Sequence, residues 1–163
     1  MNESIIYRAV VRPSDRDDVR RLVESSGFFS EAEIDIAAEL VEEHLMKGVQ
    51  SGYEFLFAEH SGKVIGYVCF GPVPATASSY DMYWLAVHND FRRLRIGTSL
   101  MAQAEELIRV QGGQRIYIET SSRDQYSTTR MFHRTCGYRE EAVLKDFYSP
   151  GDDKVIYVKA VGP

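Results

Sequence analysis

The sequence predicts a mixed α/β fold in a single domain. Three observations carry this. Stretches of period-two and period-3.6 apolar patterning follow one another in the order β-α-α-β-β-β-α-β-α-β-β. No repeat, low-complexity tract or linker interrupts residues 1–163, read as one domain. At 163 residues and 44% hydrophobic content the chain can bury a real core and is not of the disordered class.

The elements follow in order. Residues 4–12, SIIYRAVVR, read as a first strand. A helix follows in PSDRDDVRRLVESSG, with Val19, Leu22 and Val23 on its apolar face and Gly27 as a left-handed stop. Ser14 with Asp17 three residues on predicts a capping box. The second helix, SEAEIDIAAELVEEHLMKG, carries a stripe of Ile34, Ala37, Ala38, Val41 and Leu45, capped by Ser30 and stopped by Gly48. Its glutamates form a solvated face. YEFLFAEH and KVIGYVCFG are two strands joined at Ser61-Gly62, a two-residue hairpin signal. YDMYWLAVH is the fourth strand, and Ile96, Leu100, Ala104, Leu107 and Ile108 mark the helix after it, which ends at Gly112-Gly113. In the fifth strand, QRIYIETSS, alternation puts Ile116 and Ile118 on one face and Tyr117 and Glu119 on the other. A short helix, TTRMFHRTCG, is closed by Gly137, and two last strands flank the turn SPGDD.

Composition narrows the function. The net charge is −5, from 19 basic and 24 acidic side chains, which argues against a nucleic-acid-coating protein. No apolar run reaches membrane-spanning length, and the N-terminus lacks a signal-peptide core, so the expected location is the cytoplasm. Cys69 and Cys136 are too few for a disulfide scaffold or a cysteine-rich zinc site and read as buried free thiols. No metal is expected.

One local feature stands against the acidic background. Between the fourth strand and its helix, Arg92, Arg93, Arg95 and Gly97 crowd into six positions. A helix N-terminus has unpaired backbone N–H groups and partial positive charge, glycine admits a ligand close to the backbone, and arginines bind phosphate oxygens. Together they suit a pyrophosphate. The stretch is neither a Walker loop, lacking Gly-Lys-Ser/Thr, nor a dinucleotide fingerprint, with one glycine of three.

The element order, this turn and the later FHRTCGY resemble the GNAT acetyltransferase superfamily over about residues 5–160. The family loop, Gln/Arg-x-x-Gly-x-Gly/Ala, matches Arg92 and Gly97. Arg95 stands in place of the middle glycine and is expected in a helix-like backbone conformation. A second family pattern falls on Tyr126–Tyr138, matching at Gly137 and Tyr138; Tyr126, Thr129, Phe132 and His133 replace its Asn, Ala, Leu and Tyr. The resemblance implies a mixed, mostly antiparallel sheet, splayed between the fourth and fifth strands, with helices on both faces. It implies acetyl-CoA as cosubstrate. Backbone groups of Leu85, Ala86 and Val87 would pair with the pantetheine arm. Arg92, Arg93 and the amides of Leu94, Arg95, Ile96, Gly97 and Thr98 would take the phosphates, with Tyr126 a further cofactor contact.

The implied reaction is acetyl transfer to a primary amine of a small molecule, with a backbone N–H near Val87 facing the oxyanion. Glu119 is the expected base or amine anchor; its other role would be a partner for an arginine such as Arg123. Asp81 is the other carboxylate considered, read as a strand-end surface group. His133 either stands near the departing sulfur, where the family has tyrosine, or faces the core. Phe28, Phe29, Tyr53, Tyr83 and Trp84 could line an aromatic pocket or pack the core. A homodimer is left open. The alternative class is a non-catalytic acyl-CoA sensor or partner-binding module on the same fold.

Overall fold

The computed structural model describes residues 4–163. Met1–Glu3, part of the N-terminal stretch read above, lie outside the described residues. The strands are β1 (Ile6–Arg8), β2 (Glu54–His60), β3 (Lys63–Pro72), β4 (Ser79–Val87), β5 (Arg115–Ser121), β6 (Arg139–Ser149) and β7 (Asp152–Ala160). The α-helices are α1 (Asp15–Ser25), α2 (Glu31–Lys47), α3 (Ile96–Val110) and α4 (Ser127–Thr135). The sheet order is β1-β2-β3-β4-β5-β7-β6, with β4–β5 the parallel pair. The mixed α/β prediction holds.

The described residues form two compact units, residues 4–71 with 84–104, and 72–83 with 105–163. In the first unit, α1 and α2 bury Val19, Leu22, Val23, Ile34, Ala37 and Val41 against Phe55, Phe57 and Tyr67. These three rings stack at 5.7–6.3 Å on one face of the β2–β3 hairpin. The hairpin turns on Ser61 and Gly62, both at positive φ, as the sequence predicts. Gly66 lets its neighbours come close: a methyl there would meet the Ala86 carbonyl at 3.2 Å and Leu100 at 3.3 Å. That closeness seats the first turns of α3 against β3.

Two details of this unit correct the sequence reading. Ser14 makes no side-chain cap, because its backbone is already helical. Asp15 instead accepts the Arg12 N–H and forms a buried ion pair with Arg8 at 2.8 Å, which draws the chain into the helix earlier. Leu45 is exposed rather than in the stripe; the last turn of α2 turns His44 inward, its ring against Phe55 and its Nδ1 2.6 Å from the Tyr53 carbonyl. Ser30 caps α2 in a full capping box with Glu33. β1 is shorter than the predicted strand, pairing with β2 only over Ile6–Arg8.

In the second unit, β5 pairs with β7 along its whole length, and β7 with β6. Tyr80, Ile108, Ile116, Ile118, Tyr138, Val155, Tyr157 and Val158 are buried there. The β4–β5 register covers Ser79↔Arg115, Tyr80↔Ile116 and Asp81↔Tyr117 and ends there. β4 continues to Val87 and β5 to Ser121, so the pair parts after three residues, as the resemblance implied. Cys69 and Cys136 are both free; Cys69 is buried and Cys136 only partly so.

Candidate active site

The basic turn lies in the first unit and is anchored before it begins. The His88 N–H donates to the Ile65 carbonyl at 2.7 Å, and its Nδ1 accepts the Asp90 N–H. Phe91 packs its ring against His60 and His88. Asn89–Leu94 form a single 3₁₀ segment, and α3 starts at Ile96, which is buried. Arg95 joins the two at φ 57°, ψ 26°. This corrects the helix-like expectation: two helical segments of different direction meet through one residue, and a left-handed link redirects the chain. The family's glycine position keeps glycine's conformation with arginine in it.

The first α-helical bond of α3 runs from the Ser99 N–H to the Arg95 carbonyl at 3.0 Å. Among the described residues no acceptor pairs with the amides of Ile96, Gly97 and Thr98, the unsatisfied donors of a helix start. Arg92, Arg93 and Arg95 are exposed and form no ion pair among the described residues. Three cationic side chains beside three open N–H groups can hold a polyanion. The arm-binding residues of the sequence reading, Leu85, Ala86 and Val87, are half-buried at the end of β4.

The second unit carries a cavity of about 420 Å³ lined by Val73, Thr76, Ser79, Asp81, Tyr117, Glu119, Glu141, Ala142 and Ile156. Three of these are carboxylates. Glu119 does not pair with Arg123, which holds Asp152 instead at 3.2 Å. Its partner is Lys154, at 2.9 Å across the diagonal of the β5–β7 ladder. The lysine Nζ also lies 3.7 Å over the Phe147 ring. Asp81 is half-buried and lines this cavity, rather than standing fully exposed at a strand end. It sits at the last β4–β5 register position, and its carboxylate makes no hydrogen bond or ion pair among the described residues. Burial, then the neighbouring charge of Glu119, raises its carboxyl above the usual range, with Lys154 pulling the other way.

His133 lies in the core of this unit at 5% exposure. Its Nε2 hydrogen-bonds with Thr120 Oγ1 at 3.1 Å, and the rings of Tyr138 and Tyr157 flank it. Burial pulls its pKa down to about 4, so the imidazole is neutral at pH 7. Tyr126 precedes α4, with the Arg123 guanidinium 5.7 Å above its ring. Of the five aromatics of the sequence reading, Phe29, Tyr53 and Trp84 pack against the core of the first unit, Phe29 edge-on against Trp84 at 5.1 Å. Sequence reasoning missed Lys154 and Glu141. Nothing in a lysine opening an apolar strand marks it as the partner of a residue 35 positions earlier; only the β5–β7 register does.

The parallel β4–β5 register ends after three residues, and β4 runs on into a basic turn that opens α3. The model of the acetyltransferase (GNAT) family matches residues 17–138, and the chain belongs to that family. The crystal structure of a protein described as an acetyltransferase of this family from Desulfovibrio desulfuricans is 45% identical, with a TM-score of 0.96, covering 97% of this chain and 99% of that one. An aminoglycoside 6′-N-acetyltransferase from Enterococcus faecium shares the fold at 21% identity and TM-score 0.77, covering 97% and 98% of the two chains. So does the PaiA N-acetyltransferase of Thermoplasma acidophilum, solved with coenzyme A, at 19% identity and TM-score 0.74, covering 96% and 99%. No curated protein matches the chain.

Proposed function

We propose that this protein transfers the acetyl group of acetyl-CoA to a primary amine of a small, cationic molecule. The observation that carries the reading is the acidic cavity, where the Asp81 carboxylate stands beside Glu119 with no hydrogen-bond or ion-pair partner among the described residues. An ammonium is drawn to such carboxylates, and they are the groups that can take its proton.

The basic turn fits the cosubstrate. Arg92 and Arg93 neutralise its phosphates, and the amides of Leu94 to Thr98 donate to their oxygens. The backbone of Leu85, Ala86 and Val87 offers strand-like hydrogen bonds to the pantetheine arm, and Tyr126 offers a ring contact. Acetyl-CoA supplies an activated thioester, which an unprotonated amine can attack.

The chain's own residues prepare that amine. An alkyl ammonium has a reference pKa near ~10.4 and must lose a proton first. Glu119 holds the nitrogen through a carboxylate that Lys154 fixes in place. Asp81, less acidic than an ordinary carboxylate, takes the proton, because its raised pKa lies nearer working pH.

The test is release of free thiol from acetyl-CoA across a panel of mono- and diamines, amino acids and aminoglycosides. Turnover with at least one cationic amine is expected. Binding of acetyl-CoA with no thiol release for any acceptor would mark the non-catalytic module instead.

A further inference from the structure

We propose that Lys154 is a self-acetylation site: when acetyl-CoA is present and no acceptor amine competes, the Lys154 Nζ takes the acetyl group. This rests on the acceptor reading above, because it uses the same two carboxylates.

Lys154 is a primary amine standing where that reading places the acceptor nitrogen. Its Nζ lies 2.9 Å from Glu119 Oε2. Ile156, two residues on along β7, lines the acidic cavity, and strand alternation puts Lys154 on the same face of the sheet. Glu119 faces Ile156 in the β5–β7 ladder, and Asp81 faces Tyr117 in the β4–β5 pair. All five residues therefore share one face. The Lys154 charge is felt at Asp81, where it opposes the rise in pKa.

The surroundings hold this ammonium as a site holds a ligand. The Phe147 ring centre lies 3.7 Å from Nζ and the Tyr148 ring centre 5.8 Å. A carboxylate with aromatic faces is a recurring way to bind a cationic amine. Both rings are about half exposed, so the cage opens to solvent. The other lysines stand elsewhere. Lys47, Lys63 and Lys145 are exposed, and Lys159 pairs with Glu105, which does not line the cavity.

The step balances. The Lys154 ammonium gives one proton to Asp81, which passes it to solvent. The Nζ lone pair attacks the thioester carbonyl carbon, the N–C bond forms and the C–S bond breaks. The second proton leaves the nitrogen and ends on the departing thiol. The products are acetyl-lysine, free CoA and one proton. A tethered amine needs no binding step, so it competes best where free acceptor is scarce. The amide formed is neutral, and Glu119 then loses its cation.

The full-length protein is incubated with acetyl-CoA and no amine, and each lysine is followed by peptide mass spectrometry. Lys154 should gain one acetyl group faster than Lys63 and Lys145, at a fractional rate independent of protein concentration. Asp81→Asn should slow Lys154 by ~10²-fold and leave Lys63 unchanged. Thermal unfolding checks that this variant keeps its fold. Wild type held unfolded in denaturant should lose the preference, which tests the cage without a substitution. An unmodified Lys154 overturns the proposal. So does a rate no faster than at the exposed lysines, a fractional rate that rises with protein concentration, a folded Asp81→Asn variant as fast as wild type, or a preference kept in the unfolded chain. Thiol release with an added amine while Lys154 stays unmodified overturns this proposal alone. Acetylated Lys154 with every added amine refused overturns the small-molecule acceptor and leaves this proposal standing.

Discussion

Lys154 Nζ lies 2.9 Å from Glu119 Oε2, and the lysine is the more buried partner, with 12% of its side chain exposed against 51% for the glutamate. The pair is therefore an anchored cation holding a more open carboxylate. If Lys154 positions Glu119, Lys154→Met should raise KM for the acceptor about tenfold, or ~1.4 kcal/mol of binding. Lys154→Arg should recover much of it. The pH profile separates this from a packing effect. Lys154 lowers the Asp81 pKa, so its removal should move the acid limb of the rate profile to higher pH. An unmoved limb with full activity removes Lys154 from the site.

The two cavity carboxylates should fail differently. Asp81→Asn should depress kcat by ~10²-fold or more, the low end for a positioned base. The loss should shrink at high pH, where free amine is more abundant. Glu119→Gln should mainly raise KM for the acceptor. Steady-state kinetics on both variants across pH 6 to 10 decides it, and wild-type kcat in Asp81→Asn sinks the proton assignment.

Acetyl-CoA should stabilise the protein against heat, by about 2.7 kcal/mol at a hundredfold excess over its dissociation constant. Arg92→Ala should weaken this more than Arg16→Ala, since Arg16 lies on α1 and pairs with Glu42. No thermal shift with any acyl-CoA would end the proposed use of the basic turn.

Arg95 holds a left-handed conformation that costs an L-residue roughly 1–2 kcal/mol. Arg95→Gly should leave the melting temperature unchanged or raise it. Arg95→Val, β-branched at positive φ, should lower stability by at least ~1 kcal/mol. A clear loss in the glycine variant would mean that the guanidinium itself supports the fold.

His133 makes stability depend on acid. Its folded pKa is about 4, below the ordinary 6.5, so between those values the unfolded chain binds a proton the native state refuses. This share of stability is whole above pH 6.5 and falls as pH drops towards 4, by roughly 3 kcal/mol in total. Denaturant unfolding of wild type and His133→Phe at pH 7.5 and 4.5 should show a smaller drop in the variant. Equal drops would show that His133 is protonated in the fold.

The sequence by itself determined the element order, the hairpin at Ser61-Gly62, the cap at Ser30 and the basic turn before α3. Each is local: a dihedral demand, a side chain within three residues of an orphan N–H, or an apolar period read along one helix. The family followed because those local signals stand in a distinctive order. What only the tertiary structure decided is non-local. Glu119 meets Lys154 rather than Arg123 because the β5–β7 register brings distant strands together. Asp81 becomes a cavity wall because its pairing with β5 ends at that residue. Ser14 loses its capping role to a buried ion pair between Arg8 and Asp15, residues of β1 and α1. In each case an interaction across the fold outweighs a local preference of about a kilocalorie, a margin that chain-local patterning does not resolve.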